Sequence, residues 1–166
     1  MTPSNSTTGN TIEILNRQRK FSLDKPVLAA AIGSVLEALE VSGQELNVVL
    51  LSDRNMRLMN RDYRGVNATT DVISFPMKEG DWGDPSGTLL GDIVLSLETI
   101  ARQSTVPHDD GRPLTGTPQK ELALMTIHGI LHLLGHSHEP GTPEADTMVK
   151  KESAMFADMW ELFPSF

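Results

Sequence analysis

Histidines are the residues best suited to chemistry in this chain, and four of its five lie within residues 128–138. His128 and His132 are four residues apart, so on a helix both imidazoles share one face, about 6 Å apart along the axis. Two imidazoles at this spacing can hold one metal ion, as in other sites with the pattern His-x-x-x-His. A buried helix with satisfied core histidines is the alternative, but the clustering of four histidines favours metal binding.

A third ligand can follow Gly135, because glycine commonly ends a helix in the left-handed conformation. On a straight helix His136 would lie about 12 Å along the axis from His128, too far for zinc–nitrogen bonds of ~2.0–2.1 Å. A reversal at Gly135 therefore favours His138. We predict one zinc ion per chain, held by His128, His132 and His138, with a fourth position open for water as in catalytic sites. Three histidines also accept other divalent ions.

A basic stripe is expected on the helix that Ser52 or Asp53 caps and that continues to about Tyr63. Four arginines recur at intervals of three, four and three residues, so they fall on one side of this helix at ~100° per residue. Met56, Met59 and Tyr63 fall on the opposite side and are predicted to face a core. The stripe contains no acid, although the chain has a net charge of −8. A solvated face and an RNA phosphate-binding surface both fit this pattern, which comprises Arg54, Arg57, Arg61 and Arg64.

The bulk composition indicates one globular domain, because the chain has 166 residues and an ordinary apolar content of 39%. No apolar run approaches the ~18 residues of a membrane span, and the polar N-terminus lacks the apolar core of a secretory signal. We therefore expect a cytoplasmic location and no membrane association. The absence of cysteine excludes disulfides and thiolate ligands. The negative net charge argues against broad nucleic-acid binding but permits a local basic face.

Periodicity and capping residues predict that strands and helices are mixed along a single α+β or α/β domain. Residues 1–10 are polar and small, and we predict that they form a disordered tail before a domain at 11–166. The predicted strands are 11–16, 46–51, 71–75 and 89–95, and the predicted helices are 26–39, 53–63, 97–103, one that begins after Thr117 and carries the histidines, and 143–162.

The spacing from His128 to His138 is that of the metzincin metallopeptidases. A metzincin carries a glutamate directly after its first histidine, and this residue acts as the general base. Gly129 occupies that position here. A metallopeptidase is therefore a less favoured alternative.

The same segment resembles more closely the YbeY family of bacterial rRNA-maturation endoribonucleases, whose motif is close to H-G-x-L-H-L-x-G-x-x-H. Several matching blocks in order are far more specific than one motif, and this resemblance covers about residues 45–155. Two segments depart from the usual family pattern: His136-Ser137 replaces Tyr-Asp, and 67–70 replaces Asp-x-Pro-Thr. The other matching blocks are Tyr63-Arg64, 70–76, 89–96, Ala101 with Gln103, and Met148 with Glu152.

The resemblance implies a zinc-dependent endoribonuclease that acts on single-stranded regions of ribosomal RNA precursors, notably at the 3′ end of the small-subunit RNA. It implies an α+β fold with a small four-stranded mixed sheet and about five flanking helices. The implied partners are precursor rRNA and the ribosome or its small-subunit proteins. Three residues carry over as ligands, His128, His132 and His138, and Arg64 carries over as the residue that contacts substrate.

For the chemistry, a three-histidine zinc can supply hydroxide at neutral pH, and Arg64 can neutralise charge on the phosphate with a bidentate contact. Asp92 is a candidate catalytic group at a family-matching position, although it can also brace the strand end. His136 is a candidate proton carrier or a residue beside the site. A non-catalytic zinc-binding factor in ribosome assembly is the other alternative to the enzyme.

Overall fold

The structure, a computed structural model, describes residues 9–77, 87–107, 113–136 and 139–166. Within these ranges it confirms an α+β domain in which a sheet is flanked by helices. The strands are β1 (Thr11–Asn16), β2 (Glu45–Leu51), β3 (Val72–Pro76) and β4 (Leu89–Ser96). The helices are α1 (Lys25–Ala38), α2 (Asp53–Arg64), α3 (Leu97–Gln103), α4 (Pro118–Leu133) and α5 (Pro143–Met159), followed by a 3₁₀ turn at Trp160–Leu162.

The four strands form a mixed sheet in the order β1-β2-β4-β3. β1 pairs with β2, and β2 with β4, in parallel, whereas β3 runs antiparallel to β4 and forms an edge of the sheet. Pro76 is the last residue of β3 and pairs with Gly91, rather than ending the strand at Phe75 as predicted. Proline is tolerated there because an edge strand can lose a backbone donor on its open side.

The helices cover the two faces of the sheet unequally. Successive side chains of a strand point to opposite faces, so Ile93 belongs to the large core beneath α1 and α4, while Val94 belongs to a small cluster with Met56 of α2. α2 and α4 therefore lie on opposite faces of one sheet. No helix in the described part of the chain is long and apolar enough to cross a membrane.

Capping residues set the starts of the helices, with Ser52 capping α2 as predicted. The side chain of Asp24 accepts a hydrogen bond from the amide of Val27, and Ser52 accepts one from Asn55. Ser96 and Thr117 cap α3 and α4 in the same way. Each cap satisfies an amide that the first helical turn leaves without an intrahelical partner.

Two predictions need correction. Asn10, assigned to the disordered tail, is buried and hydrogen-bonds to the carbonyl of Val41 and the amide of Gln44. Tyr63, predicted to face a core with Met56 and Met59, is 70% exposed, because the last turn of α2 reaches the edge of the sheet. The remaining residues of the predicted tail, 1–8, and the loop segments at 78–86 and 108–112 lie outside the described residues.

Asp53 joins the start of α2 to the neighbouring elements. Its Oδ1 accepts hydrogen bonds from the hydroxyls of Thr99 at 2.6 Å, Ser96 at 2.7 Å and Thr69 at 3.2 Å. Its Oδ2 pairs with Arg102 at 3.2 Å. Burial raises the pKa of Asp53, but the hydrogen bonds from Thr99, Ser96 and Arg102, with the charge of Arg102, outweigh it and hold the pKa below its ordinary value of 3.8.

We predict that Asp53→Asn destabilises the protein by about 1–3 kcal/mol at neutral pH, because the carboxylate accepts several hydrogen bonds that an amide accepts less strongly. Since the folded pKa is lowered, this stabilisation is complete above the unfolded value of 3.8 and is lost as the pH falls through the folded pKa. Urea unfolding from neutral pH to about pH 3 should show the difference from wild type shrinking below pH 4.

Asp62→Asn is the matched control, because this carboxylate is 59% exposed in its pair with Arg61. Its effect should stay within about 0.5 kcal/mol at every pH. If the free energy of unfolding of Asp53→Asn stayed equally far below that of wild type down to acidic pH, the charge-based explanation would be contradicted.

Candidate functional site

The helix that carries the histidines ends as the sequence predicts. Thr117 caps the start of α4, and Gly135 follows its end in the left-handed region with φ 88°. The amide of His136 then donates to the carbonyl of Leu131 at 3.0 Å. The chain therefore reverses at Gly135 instead of continuing as a straight helix.

The two α4 histidines point their ring nitrogens at each other. The Nε2 atoms of His128 and His132 are 3.0 Å apart, and the ring centroids are 4.6 Å apart. Two nitrogens bound to one tetrahedral zinc at ~2.0–2.1 Å would be about 3.3 Å apart. The observed pair is close to that separation, so this arrangement of donors fits a shared metal ion.

A carboxylate on α5 holds one of the rings. Oε1 of Glu152 lies 2.6 Å from Nδ1 of His128, with both side chains mostly buried at 25% and 17% exposure. A hydrogen bond donated by Nδ1–H to this carboxylate leaves Nε2 of the neutral imidazole without a proton, which is the form that can bind a metal. Sequence reasoning noted Glu152 only as part of a matching block. A role could not be assigned, because the contact joins residues 24 positions apart on separate helices.

The third predicted ligand, His138, lies outside the described residues. Among the residues that the structure does describe, no three histidine, aspartate or glutamate side chains are grouped so that they could hold a metal. His136 lies beside a concavity that also includes Pro143 and Thr147. Burial lowers the pKa of His136, and the charge of Lys151 lowers it further.

Gly129 faces the sheet. A Cβ atom at this position would lie 3.2 Å from both Oγ of Ser74 and Cγ2 of Val72. Ser74 also donates to the carbonyl of Gly129 at 3.1 Å. A glutamate here, as in a metzincin, would be directed into β3 and could not serve as a base beside His128.

Asp92 lies on the other side of the sheet from the histidines. It is two residues from Val94 on β4, so it shares the face covered by α2. Its carboxylate accepts a hydrogen bond from Nδ2 of Asn47 on β2 at 3.0 Å. The structure thus shows Asp92 bracing two strands, and it does not bring this residue together with His128 or His132.

The arginine stripe is solvent-exposed, as predicted. Nε of Arg57 donates to Oδ1 of Asn67 at 2.9 Å, and Nε of Arg61 donates to Asp62 at 3.1 Å. These contacts orient two of the four guanidinium groups. Three members, Arg54, Arg57 and Arg61, line a surface groove of about 500 Å³ together with Asp53, Leu58, Asn67 and Thr69.

Arg64 occupies the last turn of α2, next to Tyr63. The Tyr63 ring contacts Phe75 on β3 edge to face, with centroids 5.3 Å apart. The other face of β3 contacts α4 through Ser74 and Gly129. The last turn of α2, which carries Arg64, therefore lies near the edge strand that supports the histidine helix.

Comparison with known proteins decides the family. The model of the family described as endoribonuclease YbeY matches residues 13–159, which is most of the chain. The chain belongs to the endoribonuclease YbeY family. The resemblance drawn from the motifs is therefore confirmed, and it extends beyond the residues that carried it.

Individual relatives agree with this assignment. The endoribonuclease YbeY of Geobacter sulfurreducens is 37% identical over 147 residues, covering 88% of this chain and 93% of the relative. That of Syntrophus aciditrophicus is 32% identical over 149 residues, or 87% of each chain. The solution structure of a Thermotoga maritima protein matches with a TM-score of 0.58 and 26% identity, covering 91% of this chain and 90% of that one.

Membership of the YbeY family confirms the prediction of an RNA-cleaving hydrolase that acts in ribosomal RNA maturation. It decides against the two alternatives, a metallopeptidase and a non-catalytic assembly factor. The orientation of Gly129 toward β3 gives a separate structural reason against the peptidase.

Proposed function

We propose that this YbeY-family endoribonuclease uses one zinc ion, held by His128, His132 and His138, to cleave single-stranded RNA near the 3′ end of the small-subunit rRNA precursor. The observation that carries the proposal is the pair of Nε2 atoms 3.0 Å apart on α4. Glu152 supports it, because its contact with Nδ1 of His128 is typical of carboxylates that orient metal-binding histidines.

The choice of His138 rests on the turn at Gly135 and on the spacing that follows it. Three neutral imidazoles suit zinc, and such a site keeps one coordination position for water or substrate. We assign His136 a place beside the site and not among the ligands. When bound, such an ion supplies Lewis acidity toward a phosphate oxygen and activates water at neutral pH.

The remaining steps belong to the protein's own side chains. Arg64 binds the scissile phosphate through its planar guanidinium, which can donate two parallel hydrogen bonds to phosphate oxygens. Glu152 keeps the proton of His128 on Nδ1, so that Nε2 faces the substrate side. Asp92 is assigned no part in the chemistry, because its carboxylate accepts a hydrogen bond from Asn47 of β2 and braces the two strands.

The arginine groove supplies the path of the RNA backbone. Arg54, Arg57 and Arg61 line it, and contacts to Asn67 and Asp62 orient two of their guanidinium groups. Concentrated positive charge in a protein of net charge −8 directs RNA to this surface and away from the rest of the molecule. The proposal places the enzyme in the cytoplasm, with precursor rRNA and small-subunit proteins as partners.

The decisive experiment compares wild-type protein with His132→Ala, both purified identically and loaded with zinc, on a precursor fragment that contains the small-subunit 3′ end. We expect His132→Ala to lose about 100-fold or more of the cleavage rate, because one of the proposed ligands is gone. Val27→Ala, at an exposed position on α1, is the control and should cleave like wild type. Equal activity in His132→Ala would identify a contaminating nuclease and would refute the proposal.

Elemental analysis tests the ligand assignment. Wild type and His136→Ala should each contain one zinc per chain, whereas His138→Ala should lose it, since only two of the proposed ligands remain. In a competition titration, Glu152→Gln should retain the site but bind zinc about 10–100-fold more weakly, the usual effect of removing an orienting carboxylate. Zinc retained by His138→Ala and lost by His136→Ala would show that the third ligand is His136.

Salt titration tests the arginine groove. In the double variant Arg57→Ala/Arg61→Ala, the slope of log K against log salt for single-stranded RNA should fall by about 1.4, because each phosphate contact contributes about 0.7. Arg57→Lys/Arg61→Lys keeps both charges and should keep the wild-type slope, with a modest loss of affinity. The same slope in wild type and the alanine variant would show that the arginine stripe is a solvated face that does not bind RNA.

A further inference from the structure

Tyr63 is a large aromatic residue that the fold leaves in solvent. Its periodicity on α2 places it on the side of Met56 and Met59, which are buried and half-buried, yet Tyr63 itself is 70% exposed. It is the chain's single tyrosine. A large exposed ring on the core-facing side of a helix is informative, because such residues are normally buried when a core is within reach.

Phe75 gives this ring a fixed support. The two ring centroids are 5.3 Å apart with an interplanar angle of 71°, a favourable edge-to-face geometry. Phe75 in turn packs against the small cluster of Met56, Val94 and their neighbours beneath α2. The Tyr63 ring is thus held at the edge of the sheet while most of its surface stays in contact with water.

The last turn of α2 carries positive charge next to Tyr63, because Arg64 follows it directly and is exposed. Arg61, two residues before Tyr63, lies on the other side of the helix. Ser74, next to Phe75, contacts the backbone of Gly129, which follows His128 on α4. The edge strand β3 therefore has the aromatic pair on one face and the histidine helix on the other.

We propose that Tyr63, supported by Phe75, is a stacking platform for one unpaired nucleobase of the RNA substrate, close to a phosphate bound by Arg64. The inference rests on the proposed function and adds to it a base-binding site. Aromatic rings bind bases in single strands through their flat faces, whatever the base, whereas bases within a duplex are already stacked on each other. The platform therefore supplies the enzyme's preference for single-stranded RNA, which phosphate contacts alone cannot provide.

A protein partner is the other possible occupant of an exposed aromatic residue. The adjacent Arg64 favours RNA, because its exposed guanidinium can bind a phosphate of the strand whose base stacks on the ring. The two occupants are distinguished by which RNA affinities change when the Tyr63 ring is removed. If the ring binds a base, removing it weakens the affinity for single-stranded RNA and leaves the affinity for duplex RNA unchanged. If the ring binds a protein, removing it changes neither affinity.

The binding experiment uses the 166-residue chain with His132→Ala, treated with zinc, so that the RNA stays intact. Tyr63→Leu and Tyr63→Phe are added to this background, and each is titrated with a single-stranded oligonucleotide that contains 2-aminopurine and with its duplex. We expect Tyr63→Leu to bind the single strand about tenfold more weakly, with the stacking-induced quenching of 2-aminopurine lost. Tyr63→Phe should keep the affinity and the quenching, and duplex affinity should be the same in all three proteins.

A kinetic experiment separates stacking from chemistry. In the otherwise wild-type enzyme, Tyr63→Leu should raise KM for single-stranded RNA about tenfold and leave kcat within about twofold. Val27→Ala, which truncates an apolar residue of 40% exposure on α1, should change neither constant. Thermal unfolding of Tyr63→Phe and Tyr63→Leu confirms that both are folded.

Two outcomes would overturn the platform: single-strand affinity equal in Tyr63→Leu and Tyr63→Phe, or an equal loss for single strand and duplex. Equal affinity of the two variants would indicate that the exposed ring binds a protein partner instead of a base. An equal loss for single strand and duplex would indicate a general distortion of α2. Neither affects metal-dependent cleavage by the wild type. Conversely, no metal-dependent cleavage by the wild type would refute the proposed function, while a ring-dependent preference for single strands would still support the platform.

Discussion

The close approach of α4 to the edge of the sheet is the contact on which the site depends. At Gly129 a Cβ atom would lie 3.2 Å from both Ser74 and Val72, so the helix backbone rests directly on β3. Ser74 fixes its position with a hydrogen bond to the Gly129 carbonyl. Since His128 precedes this point of contact and His132 follows it by less than one turn, the sheet determines where both rings project.

Two separate supports then hold the two parts of the proposed site. α5 supplies Glu152 to the ring of His128, so the geometry of the histidines depends on how two helices pack. α2 is held on the opposite face by the contacts of Asp53 with Ser96 and Thr99. The groups proposed to bind the metal and those proposed to bind RNA are therefore held in place by separate contacts. This arrangement suits a site that must keep its metal ligands fixed while a flexible RNA strand binds.

Local features of the fold could be predicted from sequence, because they depend on neighbouring residues. The Ser52 cap, the turn at Gly135 and the exposed arginine stripe follow from chemistry within one or two helical turns. The contact of Glu152 with His128 could not be predicted, since it depends on tertiary packing. Helical periodicity predicted that Tyr63 lies on the core side of α2. Periodicity cannot show where the sheet beneath the helix ends, and the last turn of α2 lies at that edge.

The edge position of β3 links these features to substrate selection. Among the described residues, β3 pairs with a neighbouring strand on one side only. In the proposed arrangement, a flexible RNA strand passes from the α2 face around β3 to the α4 face. A duplex can contact the arginines through its outer phosphates, but its paired bases cannot reach Tyr63. In the proposed arrangement affinity therefore comes from the arginines and discrimination from the aromatic ring. Evolution could change either property by substitution on α2 without disturbing the histidines across the sheet.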